Sequence, residues 1–361
     1  MGVIVIKKGV SLFISLLLML PCFILTVNAT DNTVSYPYKT SEVFVRDPAI
    51  LNHDGLYYMY GTGIATAPGY GCRISPDLEN WSEPYNVCIF SSDSDAAGDF
   101  WAPECHYYNG SFYLFATYRS KETGFRGTSV FKADSPLGPF EEISDGHITP
   151  HTSDNIDGTL YIDETGSPWM AYVAEWTSTE DNVGRMAVVR LSDDLSRTVS
   201  EAKEIFRADE PDWSASVVTD GPFLYKTSEG ALLMLWSTIS HEGYCVGIAR
   251  SDNGRIDGNW SHEFTRLYSK AFFADKSKAF DGGHPMLFRT NEGKLMMSIH
   301  SPNSTSGEGE KRVFEHAVFY EIEEKNDSLR IEEFYCFNRF FDIITTVFNR
   351  ISDFFEHIFE I

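Results

Sequence analysis

The stretch from Val43 to Tyr60, VFVRDPAILNHDGLYYMY, decides the fold, because the sequence repeats its pattern four more times. It begins with an acidic residue beside a turn-forming proline, continues through an apolar run to a turn with glycine, and ends in an aromatic-rich strand. The later copies are WAPECHYYNGSFYLFATY from Trp101, NIDGTLYIDETGSPWMAYV from Asn155, VTDGPFLYKTSEGALLMLW from Val218 and AFDGGHPMLFRTNEGKLMMSIH from Ala279. A strand–turn–strand unit that recurs every 53 to 64 residues is typical of radial repetition. We therefore predict an all-β protein with the fold of a five-bladed β-propeller.

Each copy carries one leading acid, and these acids are the first candidates for chemistry: Asp47, Glu104, Asp157, Asp220 and Asp281. In a propeller the first strand of each blade lines the central axis, so the pattern predicts one acid per blade near that axis. Carboxyl groups that approach one another repel when ionised, which raises the pKa of some and leaves others charged. A glycosidase needs such a pair: a protonated acid serves the leaving oxygen, and a carboxylate activates water or attacks carbon.

The N-terminal residues lie outside the repeats and have the pattern of a secretory signal peptide. A pair of lysines precedes an apolar run over residues 9–25, and small residues after that run place the cleavage site behind Ala29. We predict a signal peptide over residues 1–29 and a secreted, extracellular protein, with surface association as an option. A retained membrane anchor is the alternative, because the apolar run is at the short end of what spans a bilayer.

Charge and cysteine content exclude several classes of partner and site. The net charge of −23 argues against nucleic acid and anionic lipid, which bind basic surfaces, and is compatible with a neutral oligo- or polysaccharide. Five cysteines follow the predicted signal peptide, an odd number without metal-ligand spacing. Cys72 and Cys88 are placed for a bridge within the first repeat, but buried thiols are favoured.

The C-terminus has a helical pattern instead of the strand pattern. Apolar residues recur there at alternating spacings of four and three: Phe340, Ile344, Val347, Ile351, Phe354, Ile358 and Ile361. This predicts an amphipathic α-helix over residues 336–361, which leaves residues 30–335 for a catalytic propeller. The helix docks on the propeller, self-associates, or meets a membrane or protein surface. The shortage of Lys and Arg favours the first two.

Four motifs carry a resemblance to a known family. They are Arg46-Asp47-Pro48, Trp101-Ala102-Pro103-Glu104, Ile156-Asp157-Gly158 and Gly283-His284. In their order and spacing, over roughly residues 43–319, they resemble glycoside hydrolase family 43. The resemblance implies an inverting hydrolase that acts on α-L-arabinofuranosides or β-D-xylosides of plant cell-wall polysaccharides and requires no cofactor.

The resemblance also implies roles for two of the leading acids. Asp47 matches the general base that activates the attacking water, and Asp157 matches the carboxylate that orients the acid and tunes its pKa. Both residues also fit a structural interpretation, because Asp-Pro and Asp-Gly are common turn formers.

The third acid departs from the family pattern. Where the family usually has Glu before Gly-Pro, this chain has Asp220, whose side chain is shorter by one methylene. Either the backbone approaches the substrate more closely, or another residue donates the proton. Glu175 is the rival, with Trp176 beside it to desolvate it and raise its pKa. We favour Asp220 as the general acid and keep Glu175 as the alternative.

Further pocket candidates follow from the same motifs. Trp101 offers an apolar face to a sugar ring or is a buried structural residue, and Glu104 is placed to bond sugar hydroxyls. His284 matches the family's histidine near a central metal ion, often calcium, that is held mostly through waters. A structural calcium near the axis is therefore an option, although calcium prefers oxygen ligands and a satisfied core histidine explains His284 equally well. Arg289 and His300 are additional candidates.

Two functions of different classes fit these observations. An inverting glycosidase predicts roughly 6.5–9.5 Å between the base and acid carboxyl groups, and about 5 Å would indicate retention. A non-catalytic carbohydrate-binding propeller is the alternative, because a fold alone does not imply activity.

Overall fold

The computed structural model describes residues 34–307, 312–331 and 334. The chain divides into two units, Met1–Val34 and Ser35–Ile361, and the account below concerns the second. Within the described part, no helix has the length and apolarity needed to cross a membrane. The predicted signal peptide (1–29) and the predicted C-terminal helix (336–361) lie outside the described residues.

Five four-stranded antiparallel sheets follow one another along the chain, which confirms the predicted all-β, five-bladed propeller. Blade 1 contains β2 (Arg46–His53), β3 (Leu56–Thr62), β4 (Gly69–Ser75) and β6 (Tyr85–Ile89), and blade 2 contains β7 (Ala96–Tyr108), β8 (Ser111–Ser120), β9 (Arg126–Ala133) and β10 (Glu141–Glu142). Blade 3 contains β11 (Asn155–Ile162), β12 (Pro168–Ala174), β13 (Arg185–Arg190) and β14 (Lys203–Arg207), and blade 4 contains β15 (Asp220–Lys226), β16 (Leu232–Ser240), β17 (Gly243–Ser251) and β18 (Trp260–His262). Blade 5 contains β19 (Gly283–Arg289), β20 (Leu295–Ser301), β21 (His316–Lys325) and β22 (Ser328–Ile331). A two-stranded ribbon of β1 (Tyr38–Lys39) and β5 (Asn80–Trp81) and three 3₁₀ turns (Thr40–Glu42, Lys270–Phe272 and Lys276–Lys278) complete the described elements.

The innermost strands form a closed ring. Each of β2, β7, β11, β15 and β19 contacts the innermost strand of the next blade, and β19 contacts β2. Polar contacts also join the last blade to the first: the Ser298 hydroxyl donates to the Pro48 carbonyl at 2.6 Å, and the Val45 N–H donates to the Glu315 carbonyl at 3.1 Å. The starts of five strands that are distant in sequence therefore meet at one end of the axis.

Apolar side chains fill each interface between neighbouring blades. The buried residues form five clusters, one for each pair of adjacent blades, including the pair of blades 5 and 1. Strand β8 contributes to two of them, because Leu114 faces blade 1 and the next residue, Phe115, faces blade 3. The strands are buried on both faces, which explains their nearly continuous apolar sequence. Cys72, Cys88, Cys105 and Cys245 are buried free thiols, as favoured from the sequence.

Every innermost strand carries the same bulge near its start. The pairing with the second strand shifts by one residue at Arg46/Ala49, Trp101/Glu104, Ile156/Thr159, Asp220/Phe223 and Gly283/Met286. In each bulge one residue has a left-handed backbone, with φ between 42° and 58°: Asp47, Ala102, Asp157, Gly221 and His284. Such a conformation strains residues other than glycine, and bulges of this kind redirect side chains next to functional sites.

The positions of the bulges show that the alignment of the five leading acids taken from the sequence repeats was wrong. Asp47 and Asp157 occupy equivalent left-handed positions, but Asp220 comes one residue earlier, Glu104 two residues later and Asp281 three residues earlier than that position in their blades. The residue of blade 5 that is equivalent to Asp47 is His284. The five acids are therefore not structurally equivalent.

Candidate active site

A cavity of about 420 Å³ opens at the end of the axis where the bulges lie. Its lining residues are Arg46, Asp47, Thr62, Trp101, Ile156, Asp157, Glu175, Trp176, Asp220, Tyr244 and His284. Seven of these occupy the left-handed position or the position before it in the five bulges. The volume lies within the range of roughly 300–1,000 Å³ that is common for ligand pockets.

Asp47 is held as an ionised carboxylate. Its Oδ1 lies 3.1 Å from Nδ1 of His284, and its Oδ2 accepts a hydrogen bond of 2.6 Å from the Thr62 hydroxyl. Burial would raise the pKa of Asp47, but the charge and hydrogen bond of His284 outweigh burial and hold this pKa well below its usual range. The same carboxylate, together with that of Asp157, raises the pKa of His284 to about 10 against the opposing effect of burial. Asp47 and His284 therefore form a buried ion pair at neutral pH.

His300 fixes the backbone of Asp47 without sharing the charge. The Asp47 N–H donates to Nδ1 of His300 at 3.2 Å, which requires that this nitrogen is unprotonated. Burial lowers the pKa of His300 to about 4, so the ring is neutral at ordinary pH. Of the two histidines beside the Asp47 carboxylate, His284 is thus positively charged and His300 is neutral, because only His284 directs a protonated nitrogen at the carboxylate.

Asp157 connects blades 3, 4 and 5. Its Oδ2 accepts a hydrogen bond of 3.1 Å from the Gly221 N–H and lies 3.8 Å from Nδ1 of His284. Burial and the negative charge of Asp47 raise the pKa of Asp157, and His284 opposes them. A side chain at Gly221 would clash, since a Cβ there would lie 2.7 Å from the His284 ring.

Asp220 is a buried carboxyl group that favours its protonated form. Burial and the nearby charge of Asp157 raise the pKa of Asp220 well above its usual value, and His284 and a hydrogen bond from Tyr244 only partly oppose them. The Tyr244 hydroxyl donates to Oδ2 of Asp220 at 3.0 Å. In this cavity the ionised form is therefore favoured for Asp47 and the protonated form for Asp220, and the charge of Asp157 acts on both His284 and Asp220. Acid–base catalysis needs this difference between two carboxyl groups.

Glu175 lies on the wall formed by blades 2 and 3. Its Oε2 is 2.9 Å from Nη2 of Arg126, whose guanidinium also lies over the ring of Trp101, 4.9 Å from the ring centroid. Burial raises the pKa of Glu175 to about 7, although the charge of Arg126 opposes this. One face of Trp101 is thus occupied by a cation.

The structure brings most of the predicted site residues together and places four elsewhere. Glu104 does not line this cavity; its carboxylate accepts from the Thr159 hydroxyl and pairs with His106, both at 2.8 Å. Arg289 is at the far end of β19 and lines a second cavity, where it binds the Gly293 carbonyl. His300 is fully buried behind the site, where it binds the Asp47 backbone.

Asp281, the predicted acid of blade 5, also lies outside the cavity lining, so the expectation of one acid per blade in a common pocket is wrong for blades 2 and 5. The carboxylate of Asp281 accepts hydrogen bonds of 3.2 Å from the backbone N–H groups of Tyr244 and Asn303. It comes three residues before the left-handed residue of its blade, His284.

Four polar residues in or beside the cavity were not predicted from the sequence, and neither was the apolar lining residue Ile156. Arg46 was quoted only as part of a motif, although its equivalence to Trp101 and Asp220 at the position before the bulge is visible once the repeats are aligned on it. Thr62, Arg126 and Tyr244 come from second and third strands, which carry no motif of their own. No local signal identifies them, because their neighbours in space are distant in sequence.

The donor set does not fit a directly bound metal ion. In the described part of the chain, no group of three or more His, Cys, Asp or Glu side chains is arranged around a common metal position. Nδ1 of His284 faces the Asp47 carboxylate as a proton donor, and calcium prefers oxygen ligands. A calcium ion held through waters near the axis remains a prediction from the resemblance.

Comparison with known proteins matches the chain to a family of glycoside hydrolases. The family model of the glycosyl hydrolases family 43 matches residues 39–327. An extracellular exo-α-(1→5)-L-arabinofuranosidase of Cellvibrio japonicus is 27% identical over 172 residues, 43% of this chain and 46% of the relative. An extracellular endo-α-(1→5)-L-arabinanase of Bacillus subtilis is 27% identical over 154 residues, 39% of this chain and 46% of the relative. The matches thus span about half the length of these two relatives.

A solved structure covers more of the chain. The crystal structure of an endo-arabinase from Bacteroides thetaiotaomicron superimposes with a TM-score of 0.71 at 35% sequence identity, over 81% of this chain and 99% of that one.

The two histidines give a spectroscopic prediction. In ¹⁵N-histidine NMR spectra, His284 stays doubly protonated until the pH approaches about 10, and His300 stays neutral down to about pH 4. Because the pKa of His284 is raised on folding, its contribution to stability is complete below the unfolded value near 6.5 and is lost as the pH rises through about 10. The variant Asp47→Asn removes the principal charge that raises the pKa, so the His284 midpoint falls. An unchanged His284 midpoint in this variant contradicts the ion pair.

Proposed function

This chain belongs to glycosyl hydrolases family 43, and we propose that it hydrolyses α-L-arabinofuranosyl or β-D-xylosyl linkages of plant polysaccharides with inversion at the anomeric carbon. The observation that carries the proposal is the division of charge in the cavity. Asp47 is held ionised by His284, while burial keeps Asp220 protonated in the same cavity. An inverting glycosidase uses one carboxylate and one carboxylic acid on opposite sides of the scissile bond.

We assign the general base to Asp47. In the proposed step, a water molecule attacks the anomeric carbon and gives a proton to the Asp47 carboxylate as the bond to the leaving oxygen breaks. Thr62 and the Asp47 N–H contact with His300 fix the carboxylate and its backbone from two sides. A carboxylate that is already oriented and desolvated loses little free energy to reorganisation during the reaction.

We assign the general acid to Asp220 and the tuning role to Asp157. Asp220 gives its proton to the leaving oxygen, so the alcohol departs neutral. The negative charges of Asp157 and Asp47 help to keep Asp220 protonated before that step. Glu175 is the weaker candidate because Arg126 pairs with its carboxylate at 2.9 Å and opposes the effect of burial, which raises its pKa to about 7, while no cation is paired with Asp220 at such a distance in the described residues.

The cavity wall supplies the sugar contacts in this proposal. Trp101 and Trp176 line the cavity, and Arg126 covers one face of the Trp101 ring, which leaves the other for the C–H face of a pentose. All three relatives described above are named for arabinan or arabinofuranosyl substrates. These names support α-(1→5)-linked arabinan as the first substrate to test and xylosides as the second.

One observation favours a second candidate, a carbohydrate-binding propeller without catalysis. Asp220 stands where the family usually has the longer Glu, so the proton donor starts farther from the leaving oxygen. Turnover by the unmodified protein separates the two functions, because a binding module retains sugar affinity and hydrolyses no glycoside.

The assignment of the base is tested with Asp47→Asn. Turnover of an arabino-oligosaccharide is expected to fall by about 10²–10⁴-fold, since general base catalysis contributes that much, while oligosaccharide binding persists. Proton NMR of the product formed by the unmodified protein is expected to show the inverted anomer first. Retention of configuration contradicts the water-activating role of Asp47, and so does an active Asp47→Asn variant.

The assignment of the acid is tested with a set of three substitutions. Asp220→Asn removes the proton, and arabino-oligosaccharide turnover is expected to fall by about 10²–10⁴-fold. Glu175→Gln keeps the side-chain volume and is expected to affect mainly KM. Asp220→Glu restores the family's usual residue and is expected to remain active. A Glu175→Gln variant with the larger loss reverses the assignment.

We also propose that the protein is exported and cleaved after Ala29. The charge and hydropathy pattern of residues 1–29 supports this, and two of the relatives are named as extracellular enzymes. N-terminal sequencing of the protein recovered from the culture medium of a secreting host is expected to begin at Thr30. A cell-bound protein that retains residues 1–29 contradicts cleavage and favours the anchor.

A further inference from the structure

Tyr244 is a buried residue of β17 that lines the cavity and contacts the proposed acid. Its side chain is 3% exposed, and its hydroxyl donates to Oδ2 of Asp220 at 3.0 Å. We propose that Tyr244 orients Asp220 and strengthens it as a proton donor, and that Asp281 is the positioning residue that holds Tyr244 in place. This inference rests on the proposed function and deepens it.

The hydrogen bond distinguishes the two oxygens of the acid. Because Oδ2 of Asp220 accepts a hydrogen bond from the Tyr244 hydroxyl, the acid proton resides on Oδ1, and the carboxyl group is prevented from rotating freely. A shorter acid has fewer positions from which to reach the leaving oxygen, so a fixed orientation matters more for Asp than for Glu.

Four contacts hold the tyrosine itself. Its N–H donates to Oδ2 of Asp281 at 3.2 Å, and its ring stacks on His300 with ring centroids 5.6 Å apart and an interplanar angle of 29°. Gly283 leaves room for the ring, since a Cβ there would lie 2.5 Å from Cε1 of Tyr244. The hydroxyl contact with Asp220 completes the set. Tyr244 is thus constrained at one ring face, near Cε1, at its backbone and at its hydroxyl.

Asp281 also makes a second series of contacts, which leads to the proposed base, Asp47. Its Oδ1 accepts the Asn303 N–H at 3.2 Å, and the Asn303 side-chain oxygen lies 3.4 Å from Nε2 of His300. His300 in turn binds the Asp47 N–H. This gives the fifth predicted acid a role outside the cavity: it links the residues behind the acid with those behind the base.

The hydrogen bond becomes stronger as the reaction proceeds. When Oδ1 of Asp220 transfers its proton to the leaving oxygen, the C–O bond to the anomeric carbon breaks and Asp220 becomes a carboxylate. A hydrogen bond to a carboxylate is roughly twice as strong as one to a neutral group, so Tyr244 stabilises the transition state more than the ground state. The other charged or titratable groups that act on Asp220 are Asp157, Asp47 and His284, and they are unchanged by substitution of Tyr244.

The test is Tyr244→Phe, assayed with arabinofuranosides of different leaving groups. For alkyl or oligosaccharide leaving groups, which need protonation, kcat/KM is expected to fall about 10–100-fold, as for loss of a hydrogen bond to a charged group. For a 4-nitrophenyl leaving group, which departs without a proton, little change is expected. The hydrogen bond from Tyr244 lowers the pKa of Asp220, so its removal raises this pKa. The basic limb of the pH profile is therefore expected to move to higher pH.

Tyr225→Phe is the matched control. The Tyr225 hydroxyl also donates to a carboxylate, that of Glu324 at 2.8 Å, but outside the cavity, so both leaving-group classes are expected to react as in the unmodified protein. Asp281→Asn is expected to reproduce the selective loss in weaker form, with thermal unfolding measured for each variant to show that it is folded.

If the unmodified enzyme is active, the inference is overturned when Tyr244→Phe lowers kcat/KM equally for all leaving groups, or does not lower it at all. A protein without turnover on any glycoside overturns the proposed function as well.

Discussion

A β-bulge at the start of each innermost strand is the constraint on which the rest of the structure depends. It places one left-handed residue per blade at the same end of the axis, and with the residue before it supplies most of the cavity lining. A left-handed backbone costs about 1–3 kcal/mol for residues other than glycine. Three of the five positions carry Asp47, Asp157 and His284, the groups around which the charges of the site are arranged. The strain thus lies where the proposed chemistry needs a side chain turned into the axis.

The closed ring makes this arrangement possible. Five apolar interfaces between blades hold the innermost strands in register, so the bulges cannot relax independently. The carboxyl groups of the site are buried, so charges act more strongly on one another there than in water. The protonated His284, with Nδ1 at 3.1 Å from Oδ1 of Asp47, favours the ionised form of that carboxyl group, while burial and the charge of Asp157 favour the protonated form of Asp220. The proposed division into base and acid follows from these opposite shifts in pKa.

Residues behind the cavity also hold the proposed base and acid in place. His300, Tyr244 and Asp281 come from three different strands or loops of blades 4 and 5 and are joined by stacking and hydrogen bonds. They fix the backbone of the proposed base and the side chain of the proposed acid. In the proposed mechanism, these contacts compensate for the shorter side chain of the acid at position 220, because they fix its orientation toward the leaving oxygen.

The sequence by itself determined the five-bladed fold, because a strand–turn–strand unit that repeats five times, with strands apolar on both faces, buries those faces by packing each unit between two others. It also determined that Asp47, Asp157 and Asp220 meet, since each begins an innermost strand, and the buried cysteines were favoured correctly. The tertiary structure alone decided that Arg289 and Glu104 lie away from the cavity and that Asp281 acts through backbone contacts. A bulge changes by one residue which side chain faces the axis. A repeat of 53 to 64 residues with variable loops does not define alignment to that precision, so the sequence does not show the change. Thr62, Arg126 and Tyr244 could not be predicted, because their partners are brought to them only when the ring closes.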